Sequence, residues 1–248
     1  AVSGIQKAMK HVSNINVYGF AIFLIFLLVF SNASFLFNLS TEALGGFAGT
    51  FIERILITGE SVGTQWPQWW TTFYWFSWMA WAPTSGAFMG QIAYGRKVKH
   101  VLGLYVGLCA SVSALWMVLV SGTSLWVQTS GLFDLVASYD RGVENVPYDM
   151  LGALPLGNLI IPLFVVLIFL STITACNSNC IAMAGISTQG INPDSPDSPM
   201  WLKLVWCVIP MAVGYIMIAT VGVNGVKIIA NFGGMFAALI MIGATASL

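Results

Sequence analysis

"WPQWWTTFYWFSWMAWAPTSGAFMGQIAYGRKVKH" runs from Trp66 to His100 and places six Trp within its first sixteen residues. The rings give way to a proline, then small residues, then Arg96, Lys97 and Lys99. A continuous apolar run of this length, closed by positive charge, reads as a helix that crosses a membrane and ends at its inner face. Trp66 and Trp69 suit the aromatic belt of the outer interface. Trp78 and Trp81 fall near mid-depth, where no belt reaches. Their indole N–H groups need partners there, or a wet cavity.

The rest of the chain fits the same setting. Of 248 residues, 58% are hydrophobic and 7% are charged, with a mean hydropathy of +0.85. Soluble domains carry roughly 25% charged residues, so an ordinary soluble domain is excluded. Nine basic and nine acidic side chains balance to zero, which leaves no footprint for nucleic acid. The two His stand in no metal-binding spacing, and Cys109, Cys176, Cys180 and Cys207 all lie in apolar runs, where they read as buried thiols. No nucleophile–base pair, carboxylate cluster or cofactor motif is visible, so the sequence does not read as an enzyme. The lack of an initiating Met and the ending "MIGATASL" read as part of a longer protein.

Six apolar runs are long enough to span, at residues 15–37, 68–94, 101–127, 156–186, 202–222 and 226–246. Residues 1–14 form a segment before the first, and residues 68–246 group as five helices. Continuous rather than alternating runs make an all-α polytopic membrane protein, in which each helix satisfies its own backbone groups. Lys7, Lys10, Arg96, Lys97, Lys99 and Lys203 fall on one side if the spans alternate. The other side holds most of the acids and only Arg54, Arg141 and Lys227. The positive-inside rule then puts both ends of the chain in the cytoplasm. Residues 40–60 differ: Leu44, Phe47, Phe51 and Ile55 make one apolar stripe, while Glu53 and Arg54 would sit in lipid if it spanned. That predicts an amphipathic helix on the outer surface or against a partner subunit. "INPDSPDSP", Ile191 to Pro199, reads as a Pro-punctuated turn.

At 100° per residue, Trp70, Tyr74, Trp78, Trp81, Ser85 and Phe88 fall within about 80° of one another on the aromatic helix. Packing is the ordinary meaning of such a stripe. Three features point beyond it: Pro83 interrupts the helix pattern below Trp81, Gly86 and Gly90 permit close backbone approach, and indole faces attract cations that cannot donate hydrogen bonds. A second polar cluster closes the fourth span, where "STITACNSNC" begins at Ser171. Ser171, Thr174, Ala175 and Ser178 face nearly one way, which suits either interhelical contact or an ion path.

"QWWTTFYWFSWMAWAP" with "GRKVKHVLG" resembles the signature of the betaine/choline/carnitine transporter family, whose eighth span reads like W-T-x-F-Y-W-A-W-W before a Gly-Arg loop. "VSNIN" and the final spans extend the resemblance over nearly the whole chain. It implies the second half of a LeuT-type inverted-repeat transporter, spans seven to twelve, in a plasma membrane, with the surface helix at 40–60 helping to hold a homotrimer. It implies a small zwitterion or quaternary amine bound in an aromatic box, and no cofactor. By motif position Trp78 forms one wall of that box, Trp81 a ring on the cytoplasmic exit path and Phe88 an aromatic beyond it. Tyr74 and Ser85 share their face.

Ser77 departs from the pattern, standing where the family carries a Trp. A missing wall removes a cation–π contact and favours a less methylated amine, or a zwitterion hydrogen-bonded by Ser77. Thr174, Ala175, Cys176, Asn177 and Ser178 stand where sodium-coupled members read T-S-A-D-S. Thr174 and Ser171 remain as oxygen ligands for an ion, but Ala175 removes a hydroxyl that a hard cation wants. The segment is closer to the sodium-independent exchangers, although Asn16 stands where those carry an Arg. The expectation is therefore alternating-access transport of a betaine- or carnitine-like zwitterion, with exchange ahead of sodium symport. Two alternatives remain: the same fold carrying a neutral amino acid or less methylated amine, and a non-transporting scaffold or sensor.

Overall fold

The computed structural model describes residues 2–93, 95–190 and 198–247, and every regular element there is helical. The expected turn lies, up to residue 197, outside the described residues. The principal helices are α1 (Val2–Phe30), α2 (Ala33–Leu56), α3 (Trp66–Ile92), α4 (Val98–Thr129), α5 (Leu135–Arg141), α6 (Val146–Gly152), α7 (Gly157–Ile186), α8 (Met200–Val221) and α9 (Val223–Ala246). The chain divides into two compact units, one of Ala1–Phe51 with Lys97–Thr174, the other of Ile52–Arg96 with Ala175–Leu248.

Among the described residues five helices are long and apolar enough to cross a membrane: Lys10–Phe30, Val98–Thr129, Gly157–Ile186, Met200–Val221 and Asn224–Ala246. The aromatic helix, expected as a sixth, is not among them, although its 27 residues would span. Its Trp, Tyr, Thr, Ser, Pro and Gly content lowers its hydropathy without adding a single charge.

The first span ends at Phe30 rather than near residue 37, and the next helix starts at Ala33 rather than 40. Local hydrogen bonding explains the break. Asn32 accepts from the Phe35 backbone N–H at 3.0 Å, the N-cap geometry that opens a new helix, while Ser31 Oγ donates back to the Leu27 carbonyl. The apolar stripe of α2 stays uncovered, with Leu44, Phe47, Phe51 and Ile55 all exposed.

The first unit has a ring-built core. Phe23 is fully buried and stacks on Phe164 at 5.0 Å, with Trp116 closing on Phe20 at 5.4 Å. Leu27, Leu36, Val127, Leu151 and Leu167 complete it. Helix α4 reaches this core through two π-helical stretches, Gly103–Leu108 and Met117–Ser121, which rotate its face along its length. The loop after α4 is folded rather than loose. Asp134 caps α5 by accepting from Val136 and Ala137, and Asp149 accepts from Arg141 at 2.7 Å and from the buried Ser138 hydroxyl at 2.6 Å.

In the second unit α3 and α9 are the closest partners. Trp69, Trp70 and Phe73 lie by Asn224, Lys227 and Asn231, and Phe76 lies by Gly234, so residue numbers rise together and the helices run parallel. Helix α8 ends at Val221 and α9 starts at Val223, leaving only Gly222, at φ 76°, to reverse the chain. That left-handed conformation is one glycine adopts without steric cost.

Candidate functional site

The aromatic stripe stands on an unbroken helix. Pro83 lies inside α3 and does not end it, contrary to the interruption read from the sequence. A proline removes one N–H and leaves a carbonyl without its usual donor. The following Thr84 donates its hydroxyl to the Trp81 carbonyl at 3.0 Å, so a side chain adds a bond in the turn that the proline weakens.

The N-terminal half of the stripe is a ladder of touching rings. Trp66 meets Trp70 at 5.7 Å, and Trp70 stacks on Tyr74 at 5.5 Å with planes 28° apart. Phe73 joins edge-on to Trp70 at 6.1 Å. The C-terminal half carries exposed rings too. Trp78 is 69% exposed and Trp81 49%, so intrachain packing does not account for either ring. Ser85 and Phe88 continue the face half-buried.

Ser77 has the opposite character. Its residue is half-buried, its Oγ is fully covered, and that hydroxyl has no hydrogen-bond partner. A buried hydroxyl without a partner costs roughly 1–3 kcal/mol, so it is a group waiting for a donor or acceptor. The residue before it, Phe76, presents its backbone to Gly234 so closely that no Cβ would fit there. Ser77 is thus held one residue from the tightest crossing in its unit.

The expected ion ligands belong to the other unit. Asn16 Nδ2 donates to Ser171 Oγ at 2.7 Å, and the Asn16 Oδ1 is buried without a partner. Thr174 Oγ1 turns back to its own helix, donating to the Leu170 and Ser171 carbonyls at 3.1 and 2.8 Å. Among the described residues no group of three or more His, Cys, Asp or Glu could hold a metal. Cys180 is buried as expected, while Cys109 is exposed on the helix surface.

Sequence reasoning missed a cavity of about 390 Å³ between the N-terminal ends of α3 and α9. Trp69, Trp70 and Phe73 form one wall, and Asn224, Lys227, Ile228 and Asn231 the other. Lys227 Nζ lies 5.9 Å from the Trp70 ring centroid and 5.5 Å from that of Phe73. The signal was available: residues 224, 227, 228 and 231 carry the i, i+3, i+4, i+7 spacing of one helical face. Reading Lys227 only as a loop charge hid it.

A family model described as "BCCT, betaine/carnitine/choline family transporter" matches residues 1–248, the whole chain.

Proposed function

Since the chain belongs to the betaine/carnitine/choline transporter family, we propose that it contributes the second half of a LeuT-type secondary transporter for betaine- or carnitine-like zwitterions. Members of this family are transporters of quaternary ammonium substrates, not enzymes. The finer reading is that α3 acts as a sixth span, that both chain ends face the cytoplasm of a plasma membrane, and that α2 serves a homotrimer contact. Trp78 supplies a cation–π face, Ser77 a hydrogen bond, and Trp81, Ser85 and Phe88 the inner path, with Tyr74 above them.

The observation that carries this reading is the contrast between neighbours on α3. A bare indole at Trp78 stands beside an unpartnered, buried hydroxyl at Ser77. An indole face attracts an ammonium that cannot donate hydrogen bonds. A zwitterion's carboxylate, or an N–H on a less methylated amine, would satisfy Ser77. The second reading, a less methylated amine or neutral amino acid as cargo, draws on that same hydroxyl.

Exchange fits the second polar cluster better than sodium symport. Ser171 Oγ accepts from Asn16 Nδ2 and Thr174 Oγ1 donates to its own helix, so both oxygens have protein partners rather than an ion's geometry. Reconstitution of the full-length protein in proteoliposomes tests both points. Trp78→Ala is expected to abolish substrate uptake while the protein still assembles, and wild-type uptake in that variant sinks the box assignment. Counterflow that proceeds equally in sodium and in potassium supports exchange; a strict sodium requirement refutes it.

A further inference from the structure

The N-terminal end of the α3–α9 pair holds a positive charge that the aromatic-box reading leaves unused. Lys227 Nζ sits within 6 Å of two ring centroids, and among the described residues no carboxylate lies within 4.0 Å of it. Those rings are the kind of surface an incoming ammonium seeks, and a tethered ammonium already occupies them. A second cation about 6 Å from Nζ would be weakened about a hundredfold at an effective dielectric near 20. A carboxylate at that distance gains what the cation loses.

The other wall groups agree with a carboxylate. Asn224 and Asn231 add two side-chain amides to the cavity, whose NH2 groups can donate to a carboxylate. One cation with two neutral amides matches a monoanion better than a doubly charged phosphate. The volume of about 390 Å³ accommodates a small zwitterion and lies within the usual range for ligand cavities. Trp69 supplies indole surface on the same wall for the ligand's ammonium end, while Nζ sits over Trp70 and Phe73.

We propose that Lys227 is a specificity-determining residue at the α3–α9 cavity, drawing zwitterions by their carboxylate and turning away quaternary ammonium compounds that lack one. The substrate class is thereby narrowed to carboxylate-bearing betaines, with choline excluded. This rests on the transport reading above only in assuming that such compounds are the cargo.

Lys227→Met in the full-length protein tests it, with binding of glycine betaine and of choline followed by titration calorimetry. Loss of a charge-assisted hydrogen bond predicts about a tenfold weaker Kd for glycine betaine. Relief of the repulsion predicts choline binding tighter by about tenfold or more. Lys227→Arg retains the wild-type ratio. General damage to the fold would weaken both ligands together, so opposite movement is the signature. Parallel shifts, no shift, or a choline affinity unchanged by Lys227→Met overturn the proposal. Uptake separates this from the transport reading. Opposite binding shifts in a protein without substrate flux leave Lys227 in place and sink transport. Flux with Lys227→Met indistinguishable from wild type for both compounds does the reverse.

Discussion

Gly234→Ala is the sharpest test of how α3 is held. A Cβ built at Gly234 would stand 2.7 Å from the Phe76 Cα and closer still to the Phe76 carbonyl group. Carbon atoms need about 3.5 Å or more, so the helices must separate by roughly 1 Å at this point. The obstruction is backbone, which cannot rotate aside as a side chain can. Overpacking of this kind costs typically about 1–3 kcal/mol, and a backbone clash belongs at the upper end, near 3 kcal/mol. Helix propensity returns only about 1 kcal/mol on replacing glycine by alanine. The expected balance is a loss of about 2 kcal/mol. Denaturation of the full-length protein by SDS in mixed micelles measures it, with uptake recorded in parallel. Because Ser77 follows Phe76 directly, separation of the helices also displaces the Ser77 hydroxyl, and uptake is expected to fall with stability. Gly233→Ala is the control, since a Cβ there meets nothing within 4 Å in this chain. Wild-type stability and uptake in Gly234→Ala would refute the close crossing and the placement of Ser77 built upon it.

Two further outcomes follow from the first unit. Asp149→Asn removes the charge that Arg141 and the buried Ser138 both contact, at 2.7 and 2.6 Å. Arg141 is largely exposed, so screening limits that pair, and an overall loss of about 1 kcal/mol is expected in the same SDS titration; no change would show the loop to be held by its apolar residues alone. Ser171→Ala deletes the acceptor of the Asn16 amide, and under the exchange reading its counterflow stays independent of sodium. Counterflow that is sodium-dependent in wild type and lost in Ser171→Ala would assign that hydroxyl to a sodium site instead.

The membrane character of the chain was legible because it rests on composition and run length, which lipid constrains directly. Helix boundaries were less so. The apolar run through residue 37 concealed the Ser31–Asn32 break, because hydropathy averages over residues while a cap is one hydrogen bond. The aromatic helix shows the converse. Its 27 residues are helical as expected, yet the rings that made it recognisable keep it out of the set of helices that are apolar enough to cross. The helices α5 and α6 were invisible, since each is too short to carry a periodic signal and depends on contacts from Asp134 and Asp149. At the site, face membership followed from spacing alone. Which of those rings meet another helix did not, because that depends on α9, a helix more than 130 residues further along the chain.

That dependence divides the aromatic stripe in a chemically sensible way. Its N-terminal part carries Lys227 over Trp70 and Phe73, so under the proposed reading an arriving cation meets a positive charge there. Its C-terminal part offers the exposed rings of Trp78 and Trp81 with the unpaired Ser77 hydroxyl beside them. A ligand with only a positive charge is disfavoured at the first and has nothing to give Ser77 at the second. Under the proposed reading a zwitterion answers both, with its carboxylate meeting Lys227 and its ammonium meeting Trp78. The replacement of a family Trp by Ser77 then costs such a ligand little, because the wall it removes served the ammonium and the hydroxyl it adds serves the opposite end.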